Sequence, residues 1–153
     1  MYADTEMCIR DSYNTLLAVQ AAVASIPNAQ INKIVIFKST DANGGVPANC
    51  LTTTAGGING GVNGVQCNVY TGAQLASLSA SSFGSTGSGA SEACSGSALD
   101  RFWCPLGRET RQAVGTHYFG VWMQVTHPYV TRIFPGTGIT IRDSAIMRIE
   151  PSL

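Results

Sequence analysis

Between Gly138 and Glu150 apolar and polar residues alternate almost without a break: Ile139, Ile141, Ala145, Met147 and Ile149 fall on one side, and Thr140, Arg142, Ser144, Arg148 and Glu150 on the other. A period of two is the mark of an extended strand with one face on a core and one in water. A chain closing on such a strand must supply it with a partner. Tyr118 to Thr126 does so, with Phe119, Val121, Met123 and Val125 on one face and Tyr118, Trp122, Gln124 and Thr126 on the other. His127-Pro128 stops that strand, Tyr129 to Phe134 connects, and Pro135-Gly-Thr-Gly138 turns the chain back, which predicts a long antiparallel hairpin.

The beginning of the chain has a different period. Cys8, Ile9, Tyr13, Leu16, Leu17, Val19, Val23 and Ile26 recur at mostly helical spacing, with Asp4 or Thr5 as the start and Pro27-Asn28 as the stop. The pattern predicts a helix of about five to six turns over Asp4 to Ser25. Lys33 to Lys38 (Lys-Ile-Val-Ile-Phe-Lys) is apolar on both faces and reads as a central strand. Turn chemistry makes Ser39 to Asn49 a loop, in which Asp41 and Asn43 lack the closing Glu of a calcium loop and read as an Asx turn. Residues 52 to 64 carry Gly and Thr without apolar period, Gln66 to Tyr70 reads as a short strand and Thr71 to Leu78 as a brief helix. Ser79 to Ala98 is nearly all Ser, Gly and Ala, with Phe83 its one large apolar residue, and buries too little to order itself unless pinned. The whole predicts a single α+β domain over residues 1–153: a long N-terminal helix on an antiparallel sheet of three to five strands, with a long Gly/Ser-rich loop region.

Charged residues are only 12% of the chain against about 25% in ordinary soluble domains, and nine basic residues balance nine acidic ones. A face for nucleic acid or for an acidic membrane surface would need a basic excess, so neither is expected as a partner. Gly, Ser, Thr, Asn and Ala fill the space left by charge, as they do in exported surface proteins. The five cysteines carry no C-x-x-C spacing and have only His117 and His127 for company, which argues against zinc and for an oxidised, exported domain. They permit fifteen arrangements of two bridges with one residue left over. Proximity in sequence favours Cys50 with Cys67 and Cys94 with Cys104, the second of which would pin the far end of the Ser/Gly loop, and leaves Cys8 odd. No run reaches the roughly 18 apolar residues of a membrane span, and no signal peptide is visible. With oxidised cysteines, that absence points to an N-terminal export segment missing from this chain.

Chemistry is hard to find. The Ser-rich run has no G-x-S-x-G elbow, and the glycines of Gly56-Gly-Ile-Asn-Gly-Gly61 match neither a P-loop nor a dinucleotide fingerprint. Cys104 with His117 or His127 is formally a thiol–imidazole pair, but a disulfide half explains the cysteine better. Glu6, Glu92, Glu109 and Glu150 are scattered. No enzymatic activity and no cofactor are expected. Trp103, Trp122, Phe102 and Tyr118 are the residue types most used in recognition, and equally the obvious core material in an aromatic-poor chain. Trp122 and Tyr118 form a candidate interaction surface, conditional on Trp122 being exposed.

Several segments also resemble, in order, the TadE-like proteins of tight-adherence (Tad) pili, particularly actinobacterial members. They are the helix after Arg10-Asp11, Ile34-Val-Ile-Phe-Lys38, Ala48-Asn-Cys50 with Val65-Gln-Cys-Asn-Val-Tyr-Thr71, Leu99-Asp-Arg-Phe-Trp-Cys-Pro105, Gly120-Val-Trp-Met-Gln-Val125, Tyr129-Val-Thr131 and Ala145-Ile-Met-Arg-Ile-Glu-Pro151. The resemblance implies a pilin-like fold and a structural minor pilin or pseudopilin acting in pilus assembly and adherence. It implies other pilin-like subunits as partners, and a cell-surface or extracellular location reached through a membrane segment that this chain lacks. A secreted, ligand-binding adhesive module is the alternative.

Overall fold

The structure is a computed structural model that describes residues 11–60, 64–84, 94, 96–105, 108, 118–131, 133 and 135–149. The elements in chain order are α1 (Asp11–Ala24), β1 (Gln30–Ser39), α2 (Ala48–Thr52), β2 (Gly56–Asn59), β3 (Gln66–Thr71), α3 (Gly72–Ala76), β4 (Tyr118–Pro128) and β5 (Gly138–Arg148), with single 3-10 turns at Ala80–Ser82 and Arg101–Trp103. The strands make one antiparallel sheet in the order β2-β3-β1-β4-β5. The domain is therefore α+β, as its periodicities predict. Four of the expected features, the helix start at Asp4 or Thr5, Cys8, His117 and the closing Glu150-Pro151, lie outside the described residues; of the helix expected over Asp4 to Ser25, α1 is the described part.

β1 is the centre because its sequence leaves it nowhere else to go. Ile34, Val35, Ile36 and Phe37 are consecutive and apolar, so both faces of the strand need cover, and all four are fully buried. Its partners extend the two faces in register. Ile34 and Ile36 stand beside Met123 and Val121 of β4, and beside Tyr70 and Asn68 of β3; Val35 stands between Val69 and Trp122. A register shift between Ile31 and Lys33 puts a bulge where β1 enters the sheet. Opposite Phe37 the partner is Gly120, and the Phe37 ring lies over it so closely that any Cβ at position 120 would overlap the ring.

Each face has its own core. On the first, Leu16 of α1, Leu75 of α3, Trp103 and Phe119 pack with Ile34, Ile36 and Tyr70, while Val19, Phe83 and Leu99 close the margin. α3 begins with a capping box in which the Thr71 hydroxyl accepts from Gln74 N–H and the Gln74 side chain accepts from Thr71 N–H. On the second face Val35, Phe37, Val69, Trp122, Cys50 and Cys67 form the core, with Leu51 and Ile58 beside them. The sequence predicts a helix on one face of the sheet, although Lys33 to Lys38 is apolar on both. The second cover comes from α2, which occupies part of a stretch whose Gly, Asn and Pro content reads as loop, and which the Cys50–Cys67 bond ties to β3.

The terminal strand departs from expectation in the opposite direction. β5 pairs with β4 along its whole length, from Pro128–Gly138 to Tyr118–Arg148, as the predicted hairpin requires. Yet it is the edge, and of its residues only Gly138 and Ile146 are even partly covered. Ile139, Ile141 and Met147 remain 52%, 51% and 55% exposed. The alternation is real, but neither core extends far enough sideways to cover it.

Candidate functional site

Both predicted bridges are formed, Cys50–Cys67 with Cα atoms 6.3 Å apart and Cys94–Cys104 at 5.5 Å. Cys50 and Cys67 are fully buried within the second core, and Cys104 lies next to Trp103 at the edge of the first. Bonding Cys104 to Cys94 removes the thiol from any pairing with His127 on β4 or with His117. The Ser/Gly segment is fastened at both ends of the described parts: Phe83 stacks at 5.5 Å on Tyr13 and 6.0 Å on Tyr70, Leu99 N–H donates to Ser82 C=O, and Cys94 is held by Cys104.

Trp122 is 8% exposed and packs on Val35, Phe37 and the Cys50–Cys67 pair. The condition under which it would mark a docking surface is therefore not met. Tyr118, at the start of β4, is half-buried beside Arg148. The two residues lie on the same face, but only Tyr118 offers appreciable surface. At the Asp41 turn, Asn43 N–H donates to Asp41 Oδ1 at 2.8 Å and the Ser39 hydroxyl to Asp41 C=O at 2.8 Å, the self-bonded arrangement expected of an Asx turn. Among the described residues no group of three or more His, Cys, Asp or Glu side chains is placed to hold a metal ion.

The densest polar chemistry lies under the helices, where the sequence gives little sign of it. Asn68, on β3, is fully buried; its Nδ2 donates to Trp103 C=O at 3.0 Å, and its Oδ1 accepts from Phe102 N–H at 3.1 Å and Trp103 N–H at 3.0 Å. One side chain thus satisfies three backbone groups of the 101–103 turn and fixes Trp103 in the first core. Arg108 lies beside it. Its Nη2 donates to Ser12 Oγ at 2.8 Å and to Trp103 C=O at 3.3 Å, and its guanidinium sits 4.5 Å from the Trp103 ring centre and 5.0 Å from that of Phe119. Arginine is suited to this place because its planar, weakly hydrated cation can stack while it donates.

Three ionisable groups respond to this environment. Burial raises the Asp100 carboxyl above the usual aspartate range, against the opposing pull of Gly84 N–H, which donates to its Oδ1 at 3.1 Å, and of Arg108. Burial likewise raises Asp11, again opposed by Arg108. Tyr70 is pushed up by burial first and by Asp100 second. Asp100 Oδ2 and Trp103 Nε1 are buried without a hydrogen-bond partner among the described residues. These groups are sealed beneath α1 and α3 and fit the joining of α1 to the sheet: Arg108 reaches Ser12 across 96 positions of sequence, and Gln20 Nε2 donates to Leu75 C=O at 2.7 Å. Comparisons of the chain with protein-family models, with curated proteins and with solved structures find no match.

Proposed function

We propose that this chain is the folded head of a minor pilin or pseudopilin of a Tad-type pilus, a structural subunit acting in pilus assembly and surface adherence alongside other pilin-like subunits. The observation that carries the reading is the ordered resemblance to TadE-like proteins, which runs from α1 through Cys50, Cys67 and Cys104 to the last strand. The α+β architecture, with α1 laid on one antiparallel sheet, is compatible with it. Two disulfides fit an oxidising, extracellular setting. No helix of the described residues is long and apolar enough to cross a membrane, so anchoring before assembly would fall to a segment outside them. The burial of Trp122 weighs against the alternative of an adhesive module that uses that ring to hold a ligand.

The test is genetic. Deleting the gene should abolish or shorten surface pili, and the full-length gene should restore them. A second restoration without residues 85–93 separates assembly from adhesion, and it spares Phe83, Cys94 and Ala98, which belong to the packed structure. Normal pili in the deletion strain, with loss of binding to one defined glycan or host surface, would favour the adhesive module instead.

A further inference from the structure

We propose that β5 pairs edge to edge with β5 of a second copy of this chain, joining two five-stranded sheets into one continuous sheet about a two-fold axis that passes between the Ser144 residues. The inference stands apart from the pilus reading, since it rests on β5 alone. The sheet has two edges, and they are not alike. β2 is four residues long, and the Phe102 ring sits against its Gly56 and Gly57. β5 offers eleven residues in unbroken register with β4, with no bulge and no proline. Those are two of the devices by which edge strands are made unfit for pairing, and their absence leaves an outer row of N–H and C=O groups able to form about ten further backbone bonds once Ser144 N–H exchanges its present acceptor, Asp143 Oδ1 at 2.8 Å, for the second strand.

The side chains select the partner. A two-fold axis normal to the sheet pairs odd-numbered residues with odd-numbered ones and keeps the apolar stripe of Ile139, Ile141 and Met147 continuous from one copy to the next. Four such registers pair nine or more of residues 138–149. Centring the axis on Arg142 sets Arg142 against its own copy, centring it on Asp143 sets two aspartates opposite, and centring it on Ala145 sets Arg142 against Arg148. Like charges directly opposite oppose pairing. Of these four, only the axis at Ser144 avoids them. It sets Ile141 against Met147, Asp143 against Ala145, Thr140 against Arg148 and Arg142 against Ile146 of the copy, and brings Ile139 opposite Ile149, the residue just past the strand. The remaining like charges are diagonal, about 7–8 Å apart in solvent. Arg142 also leans inward, its Nε donating to Gln124 Oε1 of its own β4 at 3.1 Å.

The full chain carrying Cys8→Ser, which removes the odd thiol, should sediment as a dimer as its concentration rises from low to high micromolar. In that background Ser144→Cys should form an intermolecular disulfide under mild oxidation, because position 144 alone faces itself and directly opposed strand residues lie within disulfide reach. Asp143→Cys and Ala145→Cys, each facing the other's position, should cross-link far less. All three sites are exposed, so circular dichroism should show an intact fold. Ile141→Lys should weaken the dimer at least tenfold. A monomer at every concentration would overturn the proposal; so would open-ended aggregation, cross-linking at 143 or 145 as efficient as at 144, or a dimer indifferent to Ile141→Lys.

Discussion

Asn68 shows how one polar side chain can be worth more to this fold than its apolar neighbours. Buried in β3, it is the only partner among the described residues given to Phe102 N–H and Trp103 N–H by side chain, and it also occupies Trp103 C=O. Asn68→Leu keeps the branching of the side chain but strands two backbone N–H groups, each costing about 1–3 kcal/mol when left buried and unpaired, while Trp103 C=O keeps its Arg108 donor. A loss of about 2 kcal/mol or more in urea unfolding is expected; a loss under 1 kcal/mol would mean that the turn finds water instead. Asp100 makes a prediction in pH. Because burial raises its folded carboxyl above the ordinary aspartate value, its contribution to stability is fully present below that ordinary value and is lost as pH rises through the folded value. Asp100→Asn keeps an acceptor for Gly84 N–H and removes the loss. Its stability relative to the parent should therefore be constant at low pH and shift in its favour as pH rises. Unfolding midpoints measured from pH 3 to 7 check this, and a difference that does not vary with pH would refute it. Neither residue announces itself in sequence, since Asn in Gln-Cys-Asn-Val-Tyr and Asp before Arg-Phe-Trp look like ordinary surface polarity; only the third dimension brings them onto one turn.

At the scale of elements, what a local pattern can carry was legible. The β4–β5 hairpin, the doubly covered β1 and the helical period of α1 each follow from spacing within one segment, and proximity identified both bridges. The missing elements are those whose existence depends on something distant. β2 holds Gly56 at φ 89° and has no apolar period, yet it pairs with β3 because the Phe102 ring and Cys67 give it a place to lie. α2 is one short helix in a loop-like composition, held by Cys50 and by Lys33 Nζ donating to Leu51 C=O at 2.6 Å. The two bridges should accordingly differ in worth. They close loops of 17 and 10 residues, so the chain-entropy model assigns roughly 3 kcal/mol to each and separates them by only about 0.5 kcal/mol. Packing widens that gap, because Cys50 and Cys67 are both fully buried in a core, whereas Cys94 is not. The double variant Cys50→Ala/Cys67→Ala should thus be clearly less stable than Cys94→Ala/Cys104→Ala. Equal midpoints in denaturant would show that the second core relaxes around the lost sulfurs.

For the molecule as a whole, the arrangement is a gradient of cover that runs across the sheet from the middle to β5. β1 has a strand on each side and a core on each face, and four of its consecutive residues are fully buried. β4 has strands on both sides but gives up Gln124, Thr126 and His127 to partial exposure. β5 has one neighbour, and most of its residues are exposed on both faces. The same alternating sequence could have closed under a helix, but α1 and α3 are committed to Tyr70, Ile34 and Ile36 and leave the far edge bare. Local opening follows such gradients, because strands with few buried contacts open without unfolding the rest. Native-state amide exchange at low protein concentration should therefore be slowest at Ile34–Phe37, intermediate in β4 and fastest among the longer strands in β5. Raising the concentration supplies a second strand for the free edge. It should slow only alternate amides of β5, those turned away from β4, and leave β1 unchanged. Uniform protection across the sheet at low concentration would contradict the gradient, and a concentration effect spread evenly over all strands would point to general association rather than to pairing at this edge.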